Sequence, residues 1–173
     1  NKPSPNWLKN FLAIHDINSI NTLVDLTNYI MLLYGIPCHA FDEQKIEGDL
    51  NWKINNSPEK IVTLDGTEID IPANSFLIAD DKGAASLPVI GGKRTAIDLN
   101  TKNTIIEMAI YNPEKVRLDA KEMGVQTDAK IRLEKELDTH LIPLAFKHLA
   151  QLILNECGGE IKSSLYDYSS EQE

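Results

Sequence analysis

Three features of the sequence combine residue types that can carry out chemistry. His39 follows a proline and a cysteine, and a histidine titrates near neutral pH, so it can accept a proton or orient a water molecule. Glu107 interrupts an apolar strand pattern, where an unpaired carboxylate is costly. Gly91 and Gly92 lack side chains, which lets the backbone approach a ligand closely. The sequence contains no P-loop, GxGxxG, HExxH or GxSxG motif, so ATP-dependent chemistry is not expected.

Each of these residues also has a structural interpretation. A loop histidine is commonly solvated or hydrogen-bonded without a chemical role, and a strand carboxylate is commonly paired with an arginine such as Arg132. Asp25, Thr27 and Asn28 place three polar side chains in an apolar helix, where each needs a partner. Hydrogen bonds from Asp25 and Asn28 to the neighbouring loop would satisfy them. The pattern by itself leaves both interpretations open.

The stretch from Asn21 to Asp42 must position His39 and the polar helix residues. Its first part is predicted to be a helix capped by Asn21, because apolar residues recur at helical spacing: Leu23, Leu26, Ile30 and Leu33. Gly35 and Pro37 occupy the positions that typically end a helix. We therefore predict that His39 lies in an irregular loop after the helix.

The remaining pattern predicts strands in the middle of the chain and helices around them. Strands are predicted over residues 50–54, 76–79, 85–89 and 104–109, with a hairpin over 61–71 around Asp65-Gly66. Helices are predicted after a Ser4 cap, from Asn112-Pro113 to Gly124, from Thr127 or Asp128 to about Leu137, and over 141–157. This order predicts an α+β fold, a mixed or antiparallel β core flanked by helices, in two intimately packed halves.

Composition indicates one ordinary globular domain. The chain has 173 residues, of which 42% are hydrophobic, enough for a real core. We find neither a signal peptide nor a run near the ~20 apolar residues that span a bilayer, so we expect a cytoplasmic protein without a membrane partner. Asn1 is not an initiator methionine, which indicates a fragment of a longer chain. We expect Cys38 and Cys157 to be free thiols and residues 167–173 to form a frayed tail.

The formal net charge of −9 limits what the domain can bind unaided. Affinity for nucleic acids comes mostly from Lys and Arg contacts to phosphates, so the isolated chain is not expected to hold RNA tightly, and we expect no DNA partner. An acidic surface is also a common source of solubility. If the domain acts on RNA, the rest of a larger enzyme must deliver the RNA end to it.

The stretch LTNYIMLLYGIPCHAFD, residues 26–42, resembles the DVTNYV…GQPLHAFD signature of the editing domain in the beta subunit of bacterial phenylalanyl-tRNA synthetase. The resemblance extends from about Ser4 to Gly159. It implies a post-transfer editing module of a phenylalanine–tRNA ligase, an aminoacyl-ester hydrolase that removes tyrosine wrongly attached to phenylalanine tRNA. The implied partners are the aminoacylated 3′ end of that tRNA, the remaining parts of the synthetase and its alpha subunit. No cofactor is implied for this domain.

The resemblance also implies a role for each candidate residue. His39 would orient the attacking water or contact the terminal ribose, and Glu107 would accept a hydrogen bond from the tyrosine hydroxyl. A site that binds a hydroxyl in this way rejects the analogue lacking it, so the phenylalanyl ester would be spared. The other implied residues line the substrate pocket: Thr27, Asn28, Gly91, Gly92 and Ala129.

One departure from the family pattern supports a second reading. Pro88 replaces a glycine of the family next to the Gly91-Gly92 pair, and proline has no backbone N–H to donate. The same fold could then serve as a scaffold and tRNA-facing structural domain whose editing site has decayed. A third reading is a free-standing relative that acts on another aminoacyl or peptide ester.

Overall fold

The computed structural model describes residues 1–168, with five helices and eight strands among them. The helices are α1 Asn6–Ile14, α2 Thr22–Tyr34, α3 Pro113–Glu122, α4 Asp128–Leu133 and α5 Ile142–Cys157. The strands are β1 Cys38–Asp42, β2 Asn51–Ile54, β3 Glu59–Val62, β4 Glu68–Ile71, β5 Phe76–Asp80, β6 Gly83–Leu87, β7 Ile90–Gly91 and β8 Thr104–Met108. The predicted α+β class is confirmed.

All strand pairs in the described part of the chain are antiparallel. Strands β2, β5, β6 and β7 form a four-stranded sheet in the order β2-β5-β6-β7, and β3 and β4 form the hairpin predicted around Asp65-Gly66. Strands β1 and β8 pair as a separate two-stranded ribbon. A bridge between Thr63 and Gly92 joins the hairpin to the sheet, and a bridge between Phe41 and Ala96 joins the ribbon to the chain after β7.

The β1–β8 ribbon lies between the helical half of the domain and the strand-rich half. Side chains alternate across a strand, and Cys38 and Ile106 on one face pack with the cluster built from α1, α2 and α5. Phe41 and Ile105 on the other face pack against Ile78 and Ala85 of the four-stranded sheet. The ribbon therefore presents one of its faces to each half.

Local caps set most of the helix boundaries. The Asn21 side chain accepts from the Val24 N–H at 3.1 Å at the start of α2, and Gly35 ends that helix in the left-handed conformation with φ 76°. Asn112 caps α3 and Thr127 caps α4 in the same way. These three caps and the Gly35 stop are confirmed. Each involves residues no more than four positions apart, which is why the sequence predicts them well.

Three local predictions were wrong. Ser4 does not cap α1, because its hydroxyl donates to the Asp25 carboxylate at 2.5 Å. Helix α4 ends at Leu133 rather than near Leu137, and Asp138 caps a new turn over Thr139–Leu141. His39 lies on strand β1 and not in a loop, because residues 38–42 pair with β8 from much later in the chain.

Two findings concern the molecule's exterior. No helix within residues 1–168 is long and apolar enough to cross a membrane. Of the tail predicted to fray over 167–173, residues 169–173 lie outside the described residues. The described part before them has no regular structure, and the Tyr166 and Tyr168 side chains are 93% and 92% exposed.

Candidate functional site

His39 and Glu107 lie directly opposite each other on the β1–β8 ribbon. Residues opposite each other in an antiparallel pair share one face, with their Cβ atoms roughly 5 Å apart. This face is the one directed at the strand-rich half, since Phe41 and Ile105 on the same face pack there. The fold thus brings together the two residues that the sequence singled out separately.

The imidazole of His39 is held by the turn between β6 and β7. Its Nε2 lies 3.2 Å from the carbonyl oxygen of Pro88, and its Nδ1 lies 3.5 Å from the Ser86 hydroxyl. Because a carbonyl oxygen can only accept, the nitrogen facing it must carry the hydrogen. In the neutral ring, Nδ1 therefore carries the lone pair, and this lone pair faces the Ser86 hydroxyl. It can accept a hydrogen bond from that hydroxyl or from a water molecule that takes its place.

Glu107 is a buried carboxylate that forms no ion pair with the described residues. The residue is only 6% exposed. Its Oε1 accepts a hydrogen bond from the Tyr111 hydroxyl at 2.6 Å and another from the Trp52 indole N–H at 3.4 Å. The predicted alternative of a pair with Arg132 is wrong, because Arg132 binds the carbonyl and carboxylate of Asp128 at the start of α4. The Glu107 carboxylate is held by neutral donors instead.

The local electrostatics follow from burial and the Glu107 charge. Burial raises the pKa of Tyr111 well above its usual value, and the neighbouring carboxylate of Glu107 raises it further, although the Trp52 N–H acts in the opposite direction. Burial also raises the pKa of the Cys38 thiol, and Glu107 adds to this effect. Tyr111 is thus a neutral hydrogen-bond donor near pH 7, and Cys38 is not a thiolate nucleophile.

The turn between β6 and β7 is braced from two sides. The Ser86 hydroxyl lies 3.0 Å from the Leu87 carbonyl and 3.1 Å from the Ile90 carbonyl across the turn. The Thr127 hydroxyl, which caps α4, donates to the Val89 carbonyl at 2.7 Å. This bond ties the turn to the start of the helix that carries Ala129.

The backbone at Gly92 packs closely against another strand of the protein, namely β6 at Ala85. A Cβ at this position would lie 2.2 Å from the carbonyl oxygen of Ala85 and 3.1 Å from a methyl group of Ile61. Gly91 is less restricted, since its nearest neighbour would be the Leu64 side chain at 3.2 Å. The glycine pair therefore lets the chain after the turn pack against β6.

The polar residues of α2 divide into different roles. The Asp25 carboxylate is fully buried and accepts from the hydroxyls of Ser4 and Ser19 and from the Ile20 N–H. This confirms its structural interpretation, because it ties the preceding loop to α2.

The other two polar residues of α2 do not bind that loop. The Thr27 hydroxyl donates to the Val24 carbonyl at 2.7 Å within the helix. The half-buried Asn28 side chain makes no hydrogen bond within residues 1–168, and so the predicted bond from Asn28 to the loop is wrong. No described hydrogen bond connects Asn28 or Ala129 with His39 or Glu107.

Three residues near the site were not predicted from the sequence: Trp52, Ser86 and Tyr111. Trp52 lies on an edge strand with its side chain half exposed, at 47%, and only the β2–β5 pairing brings it towards Glu107. Ser86 is fully buried within β6. Tyr111 could have been predicted from the sequence as a partner of Glu107, because it lies four positions after that carboxylate and just beyond the end of β8.

A separate cavity of about 350 Å³ opens between β3 and β6. Gly92 and Arg94 belong to its lining, whereas His39 and Glu107 do not. Arg94 is committed to the buried Asp80 carboxylate through two bonds of 2.8 and 2.7 Å. Within residues 1–168, no three His, Cys, Asp or Glu side chains converge in a way that could hold a metal ion.

Comparison with known proteins shows which proteins have a similar sequence. The phenylalanine–tRNA ligase beta subunit of Fusobacterium nucleatum is 37% identical over 165 residues, which cover 95% of this chain and 21% of that protein. The beta subunit of Aquifex aeolicus is 41% identical over 162 residues, covering 93% and 21% respectively. The chain therefore spans about a fifth of the length of these relatives.

A solved structure and a family pattern also match. The crystal structure of an N-terminal fragment of the phenylalanyl-tRNA synthetase beta subunit from Pyrococcus horikoshii covers 64% of this chain and 39% of that chain, at 22% identity and a TM-score of 0.46. The pattern of the B3/4 domain family matches residues 1–158. Since that match takes in all the helices and strands described above, the chain belongs to the B3/4 domain family.

Proposed function

We propose that this domain is the post-transfer editing module of a phenylalanyl-tRNA synthetase beta subunit. It hydrolyses the ester that joins tyrosine to the 3′ end of phenylalanine tRNA. The proposal is supported by the likeness to beta subunits over 95% of the chain. The observation that carries it is the placement of His39 opposite Glu107 on one face of the β1–β8 ribbon.

Glu107 is suited to recognise a phenol. Its Oε1 is occupied by Tyr111 and Trp52, while Oε2 accepts no hydrogen bond from the described residues. A carboxylate oxygen forms strong, charge-assisted bonds to hydroxyl donors. It binds the tyrosine hydroxyl and gains nothing from phenylalanine, which has no donor at that position. A buried polar group left unpaired by the wrong substrate is what produces large discrimination.

His39 is suited to hold the attacking water or the terminal ribose. Its ring orientation is set by the Pro88 carbonyl and the Ser86 hydroxyl, so the Nδ1 lone pair has a defined direction. Ester hydrolysis needs little beyond a positioned water and a donor for the developing oxyanion. Thr27 is another residue proposed to line the substrate pocket, although its carbonyl accepts from the Cys38 thiol at 3.9 Å on the ribbon face opposite His39 and Glu107. The remaining pocket residues of the proposal are Asn28, Gly91, Gly92 and Ala129.

The test is hydrolysis of tyrosyl and phenylalanyl esters of phenylalanine tRNA by the full-length synthetase. The wild-type enzyme is expected to hydrolyse the tyrosyl ester far faster. His39→Ala is expected to lower that rate by about a hundredfold, a magnitude typical of losing a positioned acid–base group. Activation of phenylalanine, which takes place elsewhere in the enzyme, should not change.

His140→Ala is the matched control, because His140 is an exposed histidine on a short turn. Its editing rate should equal that of the wild type. If His39→Ala retains the wild-type rate of tyrosyl hydrolysis, His39 is structural and another group positions the water. If the wild-type enzyme itself hydrolyses neither ester, the proposed function is wrong.

A scaffold function is the second candidate, and Pro88 is the observation that favours it. Pro88 cannot donate an N–H to an oxyanion, and its carbonyl is engaged by His39. In that case the domain presents a structural surface to tRNA and has no hydrolytic activity. Pro88→Gly distinguishes the two readings, because it restores an N–H and keeps the carbonyl. If only the missing N–H limits hydrolysis, the variant should hydrolyse the tyrosyl ester faster than the wild type does.

A further inference from the structure

The two oxygens of the Glu107 carboxylate have different surroundings. Oε1 accepts both available hydrogen bonds, from Tyr111 and Trp52, and Oε2 accepts none from the described residues. Within residues 1–168, only one side-chain oxygen or nitrogen is both fully buried and without a hydrogen-bond partner, and that atom is Asn55 Oδ1. Because Oε2 of Glu107 also lacks a partner, it cannot be fully buried. Oε2 thus keeps an unused acceptor position that is not completely enclosed.

Tyr111 dominates the contacts to Oε1 and is itself firmly placed. Its 2.6 Å bond is short and charge-assisted, whereas the Trp52 contact is 3.4 Å long. The Tyr111 ring packs edge-on against Phe76 of β5, with centroids 5.1 Å apart and an interplanar angle of 63°. The ring is therefore anchored on the four-stranded sheet, independently of the ribbon that carries Glu107.

We propose that Tyr111 is a positioning residue: its hydroxyl holds Oε1 of Glu107 and thereby directs Oε2 at the substrate as the single free acceptor. This inference rests on the proposed function, in which Oε2 recognises the phenol of a tyrosyl ester. The carboxylate then bridges two phenols, one from the protein and one from the substrate. Without the Tyr111 hydroxyl, the carboxylate can rotate and occupy either oxygen with the Trp52 N–H.

Tyr111→Phe tests the proposal in the full-length synthetase. The variant removes one hydroxyl and keeps the ring against Phe76. The ratio of kcat/KM for tyrosyl ester to kcat/KM for phenylalanyl ester is expected to fall about tenfold, with the phenylalanyl rate unchanged. Tyr34→Phe is the matched control, since the Tyr34 hydroxyl makes a bond of 2.9 Å to His148 in the helical half. Its ratio should remain that of the wild type.

A crystal structure of Tyr111→Phe supplies a readout that does not depend on activity. The Glu107 carboxylate is expected to turn, or to occupy more than one orientation. If the carboxylate keeps its orientation, or if both esters slow equally, Tyr111 has only a structural role and the proposal is overturned. If the wild-type enzyme hydrolyses neither ester but the carboxylate turns in the variant, the positioning inference stands and the proposed function fails.

Discussion

At the scale of single residues, Glu107 is the group whose environment says most about the site. A carboxylate in a strand is usually explained by an ion pair, yet here its partners are the phenol of Tyr111 and the indole of Trp52. Neutral donors stabilise the charge without neutralising it. The carboxylate therefore stays available as an acceptor for another hydroxyl.

Glu107→Ala and Glu107→Gln are expected to separate recognition from stability. Removing a hydrogen bond to a charged group costs roughly 1.5 to 3 kcal/mol, so either variant should lose ten- to a hundredfold in the ratio of tyrosyl to phenylalanyl hydrolysis. Glu107→Ala also leaves the buried Tyr111 hydroxyl unpaired, which should lower Tm by about 2 to 10 °C. Glu107→Gln keeps an acceptor for Tyr111, so its Tm should stay close to that of the wild type.

The two measurements are ester hydrolysis by the full-length enzyme and thermal unfolding of the same samples. A Glu107→Gln variant that retains the full ratio of tyrosyl to phenylalanyl hydrolysis would show that the Glu107 charge does not read the substrate hydroxyl.

The raised pKa of Tyr111 predicts a pH dependence of stability. A tyrosine in the unfolded chain has a pKa of about 10. In the folded protein, burial raises the pKa of Tyr111 most, and the nearby Glu107 charge raises it further. The folded state therefore holds its proton more tightly, and its free energy of unfolding should decrease as the pH rises above about 10. Tyr111→Phe should show a shallower decrease. Urea unfolding from pH 9 to 11 measures it, and parallel curves for both proteins would contradict the assignment.

At the scale of elements, the turn between β6 and β7 links the site to the rest of the fold. It contributes the Pro88 carbonyl to His39, and the Thr127 hydroxyl ties it to the start of α4. Gly92 sets the distance between this segment and β6, because there is no room for a side chain next to the Ala85 carbonyl. The geometry around His39 therefore depends on backbone packing between β6 and the chain after β7.

Gly92→Ala is expected to destabilise the domain more than Gly91→Ala. The new methyl group at position 92 would meet backbone that cannot move freely, and overpacking of this kind costs about 1 to 3 kcal/mol. At position 91 the obstacle is the half-exposed Leu64 side chain, which can rotate away at a cost of less than about 1 kcal/mol. Urea unfolding measures both, and equal effects would contradict the packing argument.

At the scale of the whole molecule, the site lies where two halves with separate cores meet. The ribbon of β1 and β8 packs one face on the helical cluster and the other on the sheet cluster. His39 and Glu107 come from the ribbon, while Ser86, Pro88 and Trp52 come from the strand-rich half. The ribbon and the strand-rich half each supply part of the site, so neither contains it alone.

The net charge of −9 predicts that the isolated domain binds tRNA poorly. In the strand-rich half, most described lysines and arginines are paired with acids, among them Lys60, Lys82 and Arg94, so few cations of that half are free to contact phosphates. We expect a dissociation constant weaker than about 10⁻⁴ M at physiological salt, and much tighter binding by the full-length synthetase. Fluorescence anisotropy with labelled tRNA measures both. Micromolar binding by the isolated domain would show that a cationic surface outweighs the net charge.

The sequence by itself determined the features that depend on close neighbours. The caps at Asn21, Asn112 and Thr127 and the stop at Gly35 are contacts within four residues. The approximate positions of most strands along the chain follow from alternation and turn residues. His39 and Glu107 stood out because each was polar in an unusual place. Their roles came from a resemblance and remain proposals.

Only the tertiary structure decided how these residues meet. The strand character of residues 38–42 arises from pairing with β8, between positions 39 and 107, and no local pattern encodes a partner at that separation. The same is true of Ser4, whose hydroxyl donates to Asp25 and does not cap α1. It is also true of Trp52, whose indole N–H donates to Glu107. A polar residue in an apolar stretch of sequence indicates that a buried group needs a hydrogen-bond partner. Several donors could satisfy that group, and the packing of the two halves determines which one does.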